Sequence, residues 1–251
     1  MRTIRIASYN ARAFKDDRAA LARVVRAIDP DVLCLQEVPR GPFVGHRVAG
    51  FAAECDLVWS GRAGRSGQTT ILTSMRVDVL EARHHALKVV SRLDTRGFAV
   101  LRVAAPGYRP VNVASVHLSL DEDERERHAH TILETLGDID QIVLAGDLNE
   151  KEGGRAWSYL AQPLRVVSPR IPTFPARAPR SAIDVVFASP SIRVRPHVEI
   201  DLPTADLVAA TDHRPIWIDI ELDALTPREE AVGEVVEEIA QDAGAPDLSQ
   251  N

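Results

Sequence analysis

Apolar and polar residues alternate along this chain in patterns that change from stretch to stretch. Residues 4–10, Ile-Arg-Ile-Ala-Ser-Tyr-Asn, alternate with a period near two and predict a strand. Residues 17–28 place Leu21, Val24, Val25 and Ile28 at helical spacing, with Asp16 or Asp17 as the N-cap and Asp29-Pro30-Asp31 as the stop. Val32-Leu33-Cys34-Leu35 and Ile142-Val143-Leu144-Ala145 are short apolar runs bounded by turn residues, the pattern of strands buried on both faces. Further strands are predicted over 57–60, 69–73, 77–82, 98–104, 111–116, 183–188, 192–200 and 216–222. Helices are predicted over 44–54, 121–136 and 227–240, the second with Ile132, Leu133 and Leu136 turned inward. Residues 165–180, rich in Pro and Arg, predict a loop.

The apolar runs share an ending. Asn10, Gln36-Glu37, His117 and Gly146-Asp147-Leu148-Asn149 each close a strand pattern, Asp184 stands at the start of another, and Asp212-His213 precede the last. Singly, each is as readily a polar turn or a solvated strand end. Polar groups placed this regularly at the ends of packed strands converge at one edge, where a rigid scaffold carries function. Carboxylates and amides there suit a hard divalent cation and a phosphate, with Glu37 the foremost metal carboxylate. Histidine is the natural proton carrier near neutral pH.

Tyr9-Asn10, Gln36-Glu37, Val116-His117-Leu118, Gly146-Asp147-Leu148-Asn149, Ile183-Asp184 and Asp212-His213-Arg214-Pro215 resemble, in this order, the marks of the endonuclease/exonuclease/phosphatase superfamily, the deoxyribonuclease I-like enzymes. The resemblance spans residues 4 to about 222. It implies an α/β fold, a four-layer α-β-β-α sandwich of two packed, mainly antiparallel sheets. It also implies a phosphoric ester hydrolase that uses Mg2+, with Mn2+ as the alternative, and attacks phosphorus in line with water. By the same resemblance Asn10 and Asp212 lie near the metal of Glu37, and Asp184 pairs with His213. Either His213 or Asp147 is the general base. Asn149 binds the phosphate, and His117 stabilises the pentacovalent phosphorus or protonates the leaving oxygen. Two departures stand out. Asn112-Val113-Ala114-Ser115-Val116-His117 replaces the Asn-x-Tyr-x-Pro-Asn-Gly of the abasic-site enzymes, and the family's glycine shortly after the first Asn is missing from Ala11-Arg12-Ala13-Phe14.

Composition narrows the picture modestly. The 251 residues suffice for one large core, read as a domain over 1–225 followed by a helix and acidic tail over 226–251. A net charge of −6 lacks the basic excess of a protein that grips long nucleic acid. Two cysteines, Cys34 and Cys55, imply no disulfide framework, and no stretch suits a membrane span or a signal peptide, so the expected compartment is the cytoplasm. Loop arginines Arg62, Arg65, Arg177 and Arg180 are the candidate substrate-binding residues, with Gln68 and Arg170 beside them. Arg125 and Arg127 read as helix surface, and His46, His84, His85, His128, His130 and His197 show no ligand spacing. The expected activity is on a small or nucleotide-like phosphate ester. A DNA or RNA nuclease is the alternative, and a non-catalytic binding protein on the same fold a remote one. Protein partners stay open, and the C-terminal helix with its Glu face packs either on the domain or on a partner.

Overall fold

The computed structural model of the chain describes residues 1–60, 67–90, 95–137 and 140–226. Arg62, Arg65 and the predicted C-terminal helix and tail lie outside these residues. Within them the chain runs β1 (Arg2–Asn10), α1 (Arg18–Ile28), β2 (Val32–Gln36), α2 (Val44–Glu54), β3 (Thr70–Thr73), β4 (Asp78–Leu87), β5 (Arg96–Ala104) and β6 (Val111–His117). It continues through α3 (Glu122–Leu136), β7 (Ile142–Asp147), α4 (Arg155–Leu160), β8 (Arg165–Val166), β9 (Asp184–Ala188), β10 (Arg193–Val194), α5 (Thr204–Ala210) and β11 (Ile216–Leu222).

The strands form a five-stranded sheet, β10-β11-β1-β2-β3, and a six-stranded sheet, β4-β5-β6-β7-β9-β8. Each sheet is antiparallel except for one central parallel pair, β1 with β2 and β6 with β7. Alternation along the strands builds the layers. Ile4, Ile6, Val32, Cys34, Val113, Val143, Val186, Ile218 and Ile220 point between the sheets. Tyr9, Leu33, Leu35, Leu72 and Trp217 point outward from the first sheet onto α1, α2 and α5. Phe98, Val116, Leu144 and Phe187 point outward from the second onto α3 and α4. Central strands are therefore apolar at nearly every position, which is why they read as continuous runs. The result is the expected four-layer sandwich, with mainly antiparallel sheets.

The registers fix where the strand ends fall. Asn10 lies opposite Gln36, His117 opposite Asp147, and Asp147 opposite Asp184, while Ser8 faces Ile216 just after the 211–215 turn. All the singled-out polar residues thus come to one edge of the sheet pair. Beneath that edge, buried Gln36 bridges the two sheets, donating from Nε2 to Ser8 Oγ at 3.1 Å and to Ser115 Oγ at 3.2 Å.

Several sequence expectations need correction. Residues 57–60 form no strand, only an isolated bridge from Val58 to Thr73. The strand expected over 192–200 shrinks to Arg193–Val194, because Pro196 has no N–H to continue the ladder. The edge strand β4 runs on to Leu87 past polar His84 and His85, since β5 pairs with it throughout and its face is exposed. The loop over 165–180 contains the short β8. Leu133 is only partly buried beside Ile132 and Leu136. Among the described residues no helix is long and apolar enough to cross a membrane.

Gly146 sets the last step before Asp147. A Cβ there would lie 1.9 Å from the Val116 carbonyl oxygen of the neighbouring strand, so no side chain fits without parting β6 from β7. Gly146→Ala is expected to destabilise the protein by about 3 kcal/mol or more. Urea unfolding measures this, and an unchanged midpoint would contradict the close approach.

Candidate active site

The site is assembled around Asp147. Its carboxylate is buried at the end of β7, where Oδ1 accepts from the backbone N–H of Asn149 at 2.8 Å. Oδ2 accepts from Asn10 Nδ2 at 3.1 Å, and lies 3.7 Å from His117 Nε2 and 3.6 Å from His213 Nε2. Four separate elements therefore meet at one carboxylate. Burial, and then the charge of Asp184, raise the proton affinity of Asp147 well above that of an ordinary carboxylate.

Glu37 stands beside it. It follows β2 in the left-handed region (φ +51°), and its Oε1 accepts from the same Asn10 Nδ2 at 3.1 Å and lies 3.9 Å from His117 Nε2. The Asn10 amide thus bridges two carboxylates with its nitrogen. Its Oδ1 accepts the backbone N–H of Arg12 at 3.0 Å, which fixes the orientation of the amide.

His213 and Asp184 face this group from the other side. His213 Nδ1 is 2.9 Å from Asp184 Oδ2, which also accepts from Thr173 Oγ1 at 2.5 Å. Asp184 Oδ1 is buried without a hydrogen-bond partner. Phe174 packs on the imidazole with ring centroids 4.9 Å apart. Burial alone would lower the proton affinity of His213, but Asp184, Asp147 and Asp212 together outweigh it and hold a proton on the ring. The opposite holds at His117. Burial first, then the charges of Arg96, His213 and Arg40, push its proton affinity well below the usual imidazole value. Neutral His117 offers Nε2 to Asn149 Nδ2 at 3.2 Å, and the other amide hydrogen of Asn149 goes to the Leu118 carbonyl at 3.0 Å.

The turn after β1 replaces the missing glycine by strain. Arg12, Ala13 and Phe14 all have positive φ, at 44°, 57° and 54°. Non-glycine residues pay about 1–2 kcal/mol each for this conformation. The turn is held by Ala13 N–H donating to Glu37 O at 2.5 Å and by Phe14 packing on Phe51. It aims the Arg12 guanidinium at Asp212 Oδ2, 3.3 Å away. Thr211 Oγ1 donates to the Asn10 carbonyl at 2.9 Å and so ties the 211–215 turn to the end of β1.

The structure thus brings together Asn10, Glu37, His117, Asp147, Asn149, Asp184 and His213, with Asp212 at the rim. Arg177 lines a recess of about 220 Å³ with Arg12, Thr211 and Asp212. Arg180 is exposed; its backbone N–H donates to Phe174 O, and no side-chain contact joins it to the carboxylates. Sequence reasoning passed over Thr173, Arg40 and Arg96. Arg96 is mostly buried and donates from Nε to Leu118 O at 3.0 Å. Its sequence signal was a cation directly before a buried strand. Asp147, Asp184 and His213 offer ligand atoms that all lie within 4.8 Å of one another, close enough to hold a metal ion.

Comparison with known proteins agrees with this fold. Residues 7–213 match the model of the Endonuclease/Exonuclease/phosphatase family. No curated protein matches the chain by sequence. Among solved structures, an endonuclease/exonuclease/phosphatase from Beutenbergia cavernae superposes with a TM-score of 0.66 at 22% identity, covering 89% of this chain and 72% of that one. The human Nocturnin catalytic domain with a bound sulfate anion gives 0.67 at 18%, covering 88% and 94%. A mannosyl-6-phosphatase from Bacteroides thetaiotaomicron gives 0.65 at 18%, covering 87% and 99%. At these identities the likeness is one of fold.

Proposed function

Since the chain belongs to the endonuclease/exonuclease/phosphatase family, we propose that it hydrolyses a small or nucleotide-like phosphate ester with the help of a divalent cation. The observation that carries this reading is the crowding of Glu37, Asp147 and Asp184 around the Asn10 amide and two imidazoles. Clustered carboxylates repel each other, and the proton affinity of Asp147, raised first by burial, is raised further by the charge of Asp184. A hard cation fits such a donor set, because it supplies the missing charge and prefers oxygen ligands. Glu37 and Asp147 are the residues that would hold Mg2+ or Mn2+, with Asn10 and Asp212 alongside and the unpartnered Oδ1 of Asp184 as a further oxygen. When bound, such an ion would neutralise charge on the non-bridging phosphate oxygens.

The chain's own residues do the rest. Asp184 fixes the imidazole of His213 through Nδ1 and leaves Nε2 directed at Asp147. The Asp147 carboxylate, or Nε2 of His213 where the ring has given up its proton, takes the proton of the attacking water. His117, held neutral, accepts from the Asn149 amide and keeps it at this edge, from which one of its hydrogens would turn to a phosphate oxygen. Arg12, Arg40 and Arg96 add positive charge around the anion. The net charge of −6 favours a small ester over long DNA or RNA. Both cysteines are buried and free, and this supports a reducing, cytoplasmic setting.

Metal-stripped protein should hydrolyse no ester in a panel of nucleotides, phosphodiesters and sugar phosphates, and Mg2+ or Mn2+ should restore turnover. Hydrolysis that persists in EDTA would remove the proposal. Degradation of DNA or RNA in preference to small esters would favour the nuclease reading.

A further inference from the structure

Arg125 reads from the sequence as helix surface, yet its side chain is only 12% exposed and that of Glu150 only 6%. Arg125 stands in the first turn of α3, and Glu150 directly follows Asn149. Arg125 donates from Nε to Glu150 Oε1 at 3.2 Å, and from Nη1 to the carbonyls of Ser119 and Leu120 at 3.3 and 2.7 Å. Glu150 Oε2 accepts the backbone N–H of Trp157 at 2.8 Å, so both of its oxygens are engaged. Gly154 makes room for that carboxylate, since a Cβ there would lie 2.1 Å from Glu150 Cδ. A buried ion pair is a poor device for stability alone, because apolar groups of like size often serve as well. This one joins two stretches far apart in the sequence, residues 118–120 after β6 and residues 148–150 after β7.

Those two stretches carry the contacts of Asn149. Its backbone lies in the left-handed region at φ +51°, with the N–H on Asp147 Oδ1 at 2.8 Å. Its amide reaches across to Leu118 O at 3.0 Å and His117 Nε2 at 3.2 Å. The contacts therefore close a ring. Asn149 donates to Leu118, the next two carbonyls accept from Arg125, and Arg125 holds Glu150, the neighbour of Asn149. Without Arg125 the two stretches would be joined here only by the reach of the Asn149 side chain and by the Leu118 N–H on Asp147 O. A guanidinium suits this task, because its fork presents several donors in fixed directions.

We propose that Arg125 and Glu150 are positioning residues for Asn149, their ion pair fixing the place from which the Asn149 amide turns to a phosphate oxygen. This rests on the phosphate-ester reading above. The effect of Arg125 passes through Asn149. A donor aimed at charge that develops during the reaction loses most of its value when it is slightly misplaced.

The test measures kcat and KM for p-nitrophenyl phosphate and bis-p-nitrophenyl phosphate with Mg2+. Arg125→Met should lower kcat about 10-fold to 100-fold and leave KM within about threefold. In an Asn149→Ala background the same substitution should cost less than about twofold more, because a donor already removed cannot be misplaced. Arg125→Lys keeps the charge without the fork and should recover part of the loss. The double variant Arg125→Met/Glu150→Gln leaves no unpaired buried charge and keeps an acceptor for Trp157. It should show the same fall in kcat at an unchanged urea midpoint, and it carries the test if Arg125→Met alone does not fold. Unchanged kcat in the double variant, or equal losses with and without Asn149, would overturn the positioning role while hydrolysis itself stands. If the starting protein cleaves no ester with Mg2+ present, the hydrolase reading fails, and the positioning role fails with it.

Discussion

His213→Ala is expected to lower kcat for ester hydrolysis by about two to four orders of magnitude, the usual share of a positioned acid or base. The loss should fall on kcat rather than KM, because Arg12, Arg40 and the metal-binding carboxylates still hold the phosphate. His213 is the partner of buried Asp184, whose other oxygen already has none. Its removal should therefore also cost about 1–3 kcal/mol of stability. Asp184→Asn separates the two effects. It keeps the shape of the pair but cannot fix the imidazole in the same way, so kcat should fall about 100-fold or more while unfolding moves little. Activity within tenfold of the starting protein in either variant would shift the proton-transfer role to Asp147.

Glu37→Gln should change function and stability in opposite directions. The substitution keeps the length of the side chain and removes one of the crowded negative charges. Glu37 is one-third exposed, with the Asn10 amide and His117 near its carboxylate. The metal-free variant should accordingly be at least as stable as the starting protein, since like-charge repulsion is relieved. Its requirement for Mg2+ should rise by at least about tenfold, because a hard cation loses a carboxylate ligand. Thermal unfolding in EDTA and activity against Mg2+ concentration give the two readings. Loss of stability together with unchanged Mg2+ dependence would mark Glu37 as a structural residue. This divergence is the expected signature of a site kept at the expense of the fold.

The fold and most of the site were legible for the same reason. Strands buried on both faces read as unbroken apolar runs, so the polar residues that end them, Asn10, Glu37, His117 and Asp147, stood out against the pattern. Asp184 and His213 followed from strand starts of the same kind. Other features left no such mark. The helices Arg155–Leu160 and Thr204–Ala210 are under two turns, too short for helical periodicity to show. Thr173 acts from an irregular loop, and its contact with Asp184 depends on how Phe174 to Ser181 folds back. The strained turn at Arg12 to Phe14 runs against every local preference of its residues. It exists because Glu37, Asp212 and Phe51 hold it from elsewhere in the chain. Strain held by tertiary contacts at a functional edge is invisible to propensity.

The most direct measurement is a calorimetric titration of Mg2+ or Mn2+ into the metal-free protein, with and without inorganic phosphate. Saturable binding of the ion is expected, with Glu37→Gln and Asp147→Asn each weakening it at least about tenfold. Phosphate should tighten the ion, and the ion should tighten phosphate by the same factor, since the two share one site. No saturable binding of either cation, together with hydrolysis that EDTA leaves intact, would contradict the gathering of these strand ends around a metal and a phosphate.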